Sequence, residues 1–185
     1  MAYHQNSSVD SNKLIIGNCK VETAASVAGT FVNLGAGMVS AFTHTPTMYD
    51  VQAGNAPDPI EGVAEEVCTL DFELIEYDAS VLSAISCGLV TQTSTTALST
   101  LVAGGNATLT PRVFRITNTR MISGTTCETI LTIFKGTLTT GVSINFKSDN
   151  DADPIALMPG QIEGKVDSTL TVGSQLFSIT RTLIS

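Results

Sequence analysis

Residues 66–74 are Glu66-Val67-Cys68-Thr69-Leu70-Asp71-Phe72-Glu73-Leu74, a stretch in which polar and apolar side chains alternate. Successive side chains of a β-strand point to opposite faces, so one face of this segment is apolar and the other is polar. The pattern predicts a strand over residues 67–77 that buries one face. Asp71 and Glu73 lie two positions apart on the face that remains polar.

The composition of the whole chain favours β-structure. Of the 185 residues, 26 are threonine, and β-branched residues suit a pleated, half-buried surface better than a helix. Hydrophobic residues make up 43% of the chain, which is enough for a core, whereas charged residues make up only 14% against roughly 25% in soluble domains. A surface with so few charges is easier to understand if neighbouring molecules cover much of it.

Short segments separated by turn residues continue this pattern on both sides of the opening stretch. The predicted strands are 13–22, 30–34, 38–43, 67–77, 111–119, 127–135, 138–147 and a final pair over 168–184 that is broken at Gly173. One short helix is predicted over 78–87, with Asp78 as its N-cap and Gly88 after its end. We therefore expect a single, mainly β domain over 1–185, an antiparallel sandwich or barrel with one short flanking helix.

Two segments rich in proline, glycine and acidic residues are predicted to be loops. Residues 44–65 contain three prolines and no lysine or arginine, which predicts a long inserted loop. Residues 148–164 form a second acidic segment with the same character. Residues 1–11 are polar and without a pattern, as is typical of a terminal arm.

The sequence offers little that could support catalysis or cofactor binding. The two histidines, His4 and His44, have no partner at metal-ligand spacing, and no nucleotide-binding or nucleophile motif is present. We expect no enzyme activity, no cofactor and no metal. The net charge of −8 argues against a protein that reads nucleic acid, because such binding depends on lysine and arginine.

Neither a secretion signal nor a membrane span is predicted, which places synthesis in the cytosol. The four cysteines lie far apart in the sequence, without a CxxC pair. Buried free thiols are the simplest interpretation in a reducing compartment, and disulfides formed after release from the cell are the alternative. The cysteines are Cys19, Cys68, Cys87 and Cys127.

The order of these elements resembles a known family. A strand start at Leu14-Ile15-Ile16-Gly17-Asn18-Cys19-Lys20-Val21 is followed by a long excursion that ends Val51-Gln52-Ala53-Gly54-Asn55-Ala56-Pro57. The alternating strand 66–74 then leads directly into the helix at 78–87. This order, with the length and composition, resembles the tail tube (major tail) proteins of long-tailed phages, which are related in fold to the inner tubes of contractile injection systems.

The resemblance implies a structural subunit of a virion tail, assembled in the host cytoplasm. Its partners would be copies of itself in stacked rings, which in that family are usually six-membered, together with sheath, tape-measure and tail-completion proteins. DNA would pass through the tube without specific binding, since a negatively charged wall repels phosphate. The acidic pair Asp71 and Glu73 would face this lumen.

Within the resemblance, the 44–65 segment would form the contact between rings. Its candidate residues are Met48, Tyr49, Asp50, Val51, Asp58, Ile60 and Glu61. Two alternatives remain at this point. One is another virion structural subunit, such as a capsid decoration or tail-completion protein, and the other is a carbohydrate-binding or adhesin β-sandwich. The absence of tryptophan counts against the second.

Overall fold

The computed structural model describes residues 18–51, 60–75, 79–95, 98–105, 108–122, 125–140 and 158–184. These residues form nine strands and one helix. The strands are β1 (Asn18–Ala24), β2 (Val32–Val51), β3 (Ile60–Leu74), β4 (Val90–Ser94), β5 (Ser99–Ala103), β6 (Arg112–Ile122), β7 (Thr125–Leu138), β8 (Met158–Lys165) and β9 (Phe177–Ile184), and the helix is α1 (Ala79–Ile85).

Six of the strands close into an antiparallel barrel in the order β6-β1-β2-β3-β8-β7, and pairing of β6 with β7 completes the circle. β7 is paired with β8 only at its last residues, from Gly136 to Leu138. The earlier part of the same edge, Thr126 to Ile133, is paired with β9. β4 and β5 form a separate two-stranded hairpin. The predicted mainly β, antiparallel fold with one short helix is confirmed.

The barrel interior is filled by the apolar face of the segment that opened the sequence analysis. Leu70, Phe72 and Leu74 of β3 are all buried, as predicted from the alternation. They pack with large side chains from the other barrel strands, among them Val21, Leu34, Phe114, Ile116, Leu131, Ile133, Met158 and Ile162. A continuous core of this kind supplies most of the stability of a domain.

Glycines inside the barrel strands make room for this core. A Cβ atom added at Gly160 would lie 2.5 Å from Cζ of Phe72, which is the cross-strand partner of Gly160. A Cβ atom added at Gly136 would lie 2.7 Å from the ring of Phe114. Each aromatic ring covers a backbone position that has no side chain, so the glycines serve packing and do not interrupt the strands.

The short helix matches its prediction closely. Val81, Leu82 and Ile85 form its buried face. It ends at Ile85, two residues before the predicted end, because Cys87 already has a positive φ of 53°. Gly88 follows with a φ of 91°, the left-handed geometry expected for the glycine after a helix.

The prediction of a long loop over 44–65 is wrong for most of that segment. β2 continues to Val51 and β3 begins at Ile60, and the two strands are paired along this whole length. Proline has no backbone N–H to donate to a neighbouring strand. Pro46 is tolerated in β2 because, among the described residues, no strand is paired with the side of β2 opposite β3 beyond Met38. Residues 52–59 lie outside the described part of the chain.

Other predicted boundaries also change. Residues 32–34 and 38–43 belong to one strand, β2, which continues through Gly37 and through an irregularity at Gly35, where φ is 105°. β8 occupies the end of the predicted acidic loop over 148–164. Only Phe177–Ile184 of the predicted pair over 168–184 is a strand. The arm over 1–11 and residues 141–147 of the predicted strand 138–147 lie outside the described residues.

A buried carboxylate ties β1 to β6 on the outer face of the barrel. Glu22 accepts hydrogen bonds from Lys20 Nζ at 2.7 Å and from Arg115 Nη2 at 2.8 Å, and its side chain is only 8% exposed. The Arg115 guanidinium lies 3.8 Å from the ring centre of Phe31. Burial alone would raise the pKa of Glu22, but the hydrogen bonds and charges of Lys20 and Arg115 outweigh it and hold this pKa below its usual value.

The four cysteines are free thiols buried in the core, as the first interpretation predicted. Burial raises the pKa of the Cys19 and Cys68 thiols to about 11 and also raises the pKa of Cys87. Such thiols behave as small apolar side chains. Within the described ranges, no helix has the length and apolar character needed to cross a membrane.

Candidate assembly interface

The outer halves of β2 and β3 extend beyond the barrel as a two-stranded hairpin. β1 is paired with β2 only as far as Met38, and β8 is paired with β3 only from Val67 onward. In the described part of the chain, residues 46–51 and 60–66 are therefore paired only with each other, and residues 39–45 have no partner strand except β3. The hairpin is defined here as residues 44–51 and 60–66, and among the described residues no further strand is paired with its two outer edges.

Apolar side chains near the end of this hairpin face solvent. Met48 and Val63 are cross-strand partners, and they are 55% and 50% exposed. Tyr49, which is 46% exposed, lies over its partner Gly62, where an added Cβ would be 2.6 Å from the phenol ring. A paired hairpin that displays apolar side chains and open edges has the features of a protein interaction surface.

The base of the hairpin is attached to the start of β9. The His44 ring contacts the Phe177 ring edge to face, with the ring centres 5.4 Å apart, and Phe42 contacts the same ring at 5.0 Å. His44 Nε2 also lies 3.3 Å from Glu66 Oε1 across the two strands. These contacts fix the direction in which the hairpin leaves the barrel.

A third open edge belongs to β9. Among the described strands, β7 is its only partner, so the opposite edge of Phe177–Ile184 is unpaired. Ile179, Leu183 and Ile184 on this strand are exposed, and Leu183 is 66% exposed. The strand has no proline and a single charged residue, Arg181, so the features that commonly prevent an edge from pairing with another chain are sparse on it.

Asp71 and Glu73 lie on the outer face of the barrel, opposite the buried Leu70, Phe72 and Leu74, as predicted. Both side chains are half-buried. Asp71 Oδ1 accepts a hydrogen bond of 2.7 Å from Gln161 Nε2 of β8, which holds the carboxylate in place. On β2, Asp71 is paired with Ala41 and Glu73 with Met38, in the middle of the strand and away from the hairpin end at Val51 and Ile60.

The remaining predicted interface residues fall into three groups. Met48, Tyr49 and Asp50 are exposed at the end of β2. The backbones of Val51, Ile60 and Glu61 belong to the hairpin strands, where Val51 is paired with Ile60 and Asp50 with Glu61. Asp58 lies outside the described residues. Neither Val63 nor the edge of β9 was predicted to be part of an interface. Ile179, Arg181 and Leu183 are spaced two positions apart, which indicates that they share one face of a strand.

Charge is distributed unevenly over these surfaces. The sequence from 44 to 65 contains four acidic residues and no lysine or arginine, whereas β9 contains one arginine and no acid. Acidic and basic edges of this kind attract each other and disfavour pairing of two like edges. Among the described residues, no group of three or more histidine, cysteine or carboxylate side chains is arranged to hold a metal ion.

Comparison with known proteins adds no family to this description. No protein-family model matches the chain, and no curated protein matches it.

Proposed function

We propose that this chain is a structural subunit that assembles with copies of itself into stacked rings, which form the tube of a phage tail. The observation that carries the proposal is the hairpin of residues 44–51 and 60–66, which leaves a closed barrel with exposed apolar side chains and with no further described strand paired to either edge. The proposal assigns the chain no catalytic role.

The energetics of the open edges favour assembly over an isolated subunit. Full burial of a methionine or valine side chain contributes about 1.5–3 kcal/mol, so covering the exposed halves of Met48 and Val63 contributes roughly 1 kcal/mol each. Backbone groups on the edges of the hairpin and β9 gain partners when another chain is paired with them. Repetition of such contacts around a ring makes individually weak junctions cooperative.

The outward-facing acids support a role as a conduit for DNA. Asp71 and Glu73 face away from the barrel core, and the chain as a whole carries a net charge of −8. A wall lined by carboxylates repels phosphate, so that DNA can slide along it without being trapped. In the proposed tube, these two residues face the lumen.

Charge reversal tests the lumen assignment. In assembled tails, Asp71→Lys combined with Glu73→Lys is expected to slow DNA ejection at least several-fold, because phosphate would then be attracted to the wall. The isosteric pair Asp71→Asn and Glu73→Gln removes charge without adding attraction and is expected to have a smaller effect. Ejection at the wild-type rate from tails that carry both lysines would contradict the assignment.

Negative-stain microscopy of the purified protein at high concentration tests the assembly itself. The proposal predicts hollow tubes of uniform diameter that lengthen as the protein concentration rises. Particles that stop growing at one small size would contradict the tail tube and favour the alternative of a capsid decoration or tail-completion subunit. Purely monomeric protein at every concentration would contradict self-assembly altogether.

A further inference from the structure

The inner face of β6, β7 and β9 changes from apolar to polar along these strands. Directly opposed residues of paired strands place their side chains on the same face of a sheet. Ile116 and Leu131 are paired with each other and belong to the hydrophobic core. Two residues away on each strand, the same face carries Asn118 opposite Thr129. The core therefore ends in a polar layer.

Both side chains of this layer are buried. Thr129 is 5% exposed and Asn118 is 9% exposed. Thr129 is also paired with Arg181 of β9, so the side chain of Arg181 leaves the sheet on the same face. The hydroxyl, the amide and the guanidinium are all groups that can donate hydrogen bonds.

A second arginine lies on this face, beside the buried pair. Arg120 of β6 is paired with Cys127 of β7, two residues along each strand from Asn118 and Thr129. Arg181 Nε donates a hydrogen bond of 2.8 Å to Cys127 Sγ, so its guanidinium lies next to the position that faces Arg120. Both arginines are half-buried. The buried Cys127 thus has one arginine as its cross-strand partner and the other as its hydrogen-bond donor.

No carboxylate on β6, β7 or β9 balances these two charges on the inner face. The three strands contain one acidic residue, Glu128, which directly follows Cys127 and therefore points to the opposite face. Like charges placed close together on a sheet repel each other. The layer combines two positive charges with buried hydrogen-bond donors, although the chain as a whole carries a net charge of −8.

We propose that Arg120 and Arg181, together with Asn118 and Thr129, form a binding site for a single oxyanion, a carboxylate or a phosphate group. A guanidinium is planar and presents parallel N–H groups, which match two oxygens of such a group. The anion offsets the repulsion between the arginines, and the hydroxyl and amide supply further hydrogen bonds. The site lies apart from the hairpin and from the acidic pair on β3, and it goes beyond the proposed function because one subunit is enough to form it.

Titration with anions at constant ionic strength tests the site. Sodium phosphate or sodium acetate replaces sodium chloride, so that general screening of charges stays the same. The arginine Nε–H resonances are recorded by NMR in protein kept below the concentration at which it assembles. Those of Arg120 and Arg181 are expected to shift and to saturate, with a Kd on the order of 1 mM for at least one anion. Saturation by phosphate alone identifies a phosphate site, and saturation by acetate alone identifies a carboxylate site.

Substitutions separate this site from a general effect of positive charge. Arg120→Gln is expected to weaken binding at least about tenfold, because it removes one charged fork. Arg120→Lys keeps the charge without the planar fork and is expected to give an intermediate Kd. Lys165→Gln is the matched control, since Lys165 is 59% exposed on β8 and the variant loses the same charge elsewhere. Its Kd is expected to equal that of the wild type. Circular dichroism checks the folding of each variant, and Arg120→Lys provides the comparison if Arg120→Gln does not fold.

Two results would overturn the site. One is a set of shifts that fails to saturate with either anion, and the other is an equal affinity in the wild type and the Arg120 variants. Neither result bears on self-assembly, which microscopy of the purified protein tests separately.

Discussion

The barrel part and the hairpin part of β2 and β3 belong to the same two strands and the same ladder, yet their side chains have opposite environments. In the barrel, Phe72 is 1% exposed and lies over its cross-strand partner Gly160. In the hairpin, Tyr49 lies over its partner Gly62 in the same manner but is 46% exposed. Both rings cover a glycine on a neighbouring strand, but Gly160 belongs to β8, the strand that flanks β3 in the barrel, whereas Gly62 belongs to the hairpin itself.

This comparison shows that burial here is decided by the third strand and not by the pair itself. β8 and β1 flank β3 and β2 within the barrel, whereas beyond Met38 and before Val67 no described strand does so. The inner half of the strand pair therefore stabilises the monomer. The outer half exposes equivalent apolar surface that, in the proposed assembly, a second copy covers.

The largest expected difference concerns the two aromatic residues. Phe72→Ala should lower the free energy of unfolding by about 3–5 kcal/mol, because it leaves a cavity in a closed core. Tyr49→Ala should change it by less than about 0.5 kcal/mol in dilute protein. Urea denaturation of both variants measures this difference, and losses of similar size would show that the hairpin contributes to the core of the monomer.

The glycines beneath the two rings sharpen the comparison. Gly160→Ala should cost roughly 1–3 kcal/mol, because the ring of Phe72 is enclosed and cannot move away from the new methyl group. Gly62→Ala should cost less than about 1 kcal/mol, since the exposed ring of Tyr49 can turn toward solvent. Thermal unfolding of the two variants in parallel checks this order, and a larger loss at Gly62 would reverse it.

A smaller difference is expected between two carboxylates. The side chain of Glu22 in the barrel is only 8% exposed and forms ion pairs with Lys20 and Arg115. The side chains of Glu66 in the hairpin and of its partner His44 are both about 40% exposed. Glu22→Gln should cost about 1–2 kcal/mol at pH 7, and Glu66→Gln less than about 0.5 kcal/mol.

The pH dependence provides the control for Glu22. Because the pKa of Glu22 is lower in the folded state, its stabilising contribution is complete above the unfolded value of 4.5 and is lost as the pH falls through the folded value. The difference in unfolding free energy between wild type and Glu22→Gln should therefore shrink below about pH 4.5. A difference that stays constant down to pH 2 would contradict the role assigned to the carboxylate.

Much of the fold could be predicted from local patterns. The alternation over 66–74 identified β3 and its buried face, and the spacing of Val81, Leu82 and Ile85 identified the helix. Both patterns depend only on residues close in sequence. The outward position of Asp71 and Glu73 followed from the same alternation.

Three of the errors in strand boundaries share one physical cause. Glycine is typical of turns and loops, so Gly62, Gly136 and Gly160 were each placed outside the predicted strands. In the structure each of them lies within a strand, where an aromatic ring packs against it. The rings of Tyr49, Phe114 and Phe72 come from other strands, so no short stretch of sequence contains both members of a pair. Glycine could be recognised as a strand residue only once the pairing was known.

The candidate interface was predicted in part. Met48 and Tyr49 were identified as apolar residues in a polar segment, although that segment was expected to be a loop. The open edges of the hairpin and of β9 could not be predicted, because a strand is an edge strand only when no other strand is paired with one of its sides. That is a property of the tertiary arrangement and not of local sequence.

Hydrogen exchange in dilute and concentrated protein tests the central claim most directly, namely that one half of the β2–β3 pair stabilises the monomer and the other half serves assembly. In dilute protein, amides of residues 34–38 and 68–74 should exchange slowly, whereas those of 44–51 and 60–66 should exchange much faster. In assemblies, the hairpin amides should become protected with little change in the barrel. Strong protection of the hairpin in the dilute monomer, or no gain of protection there on assembly, would contradict the account.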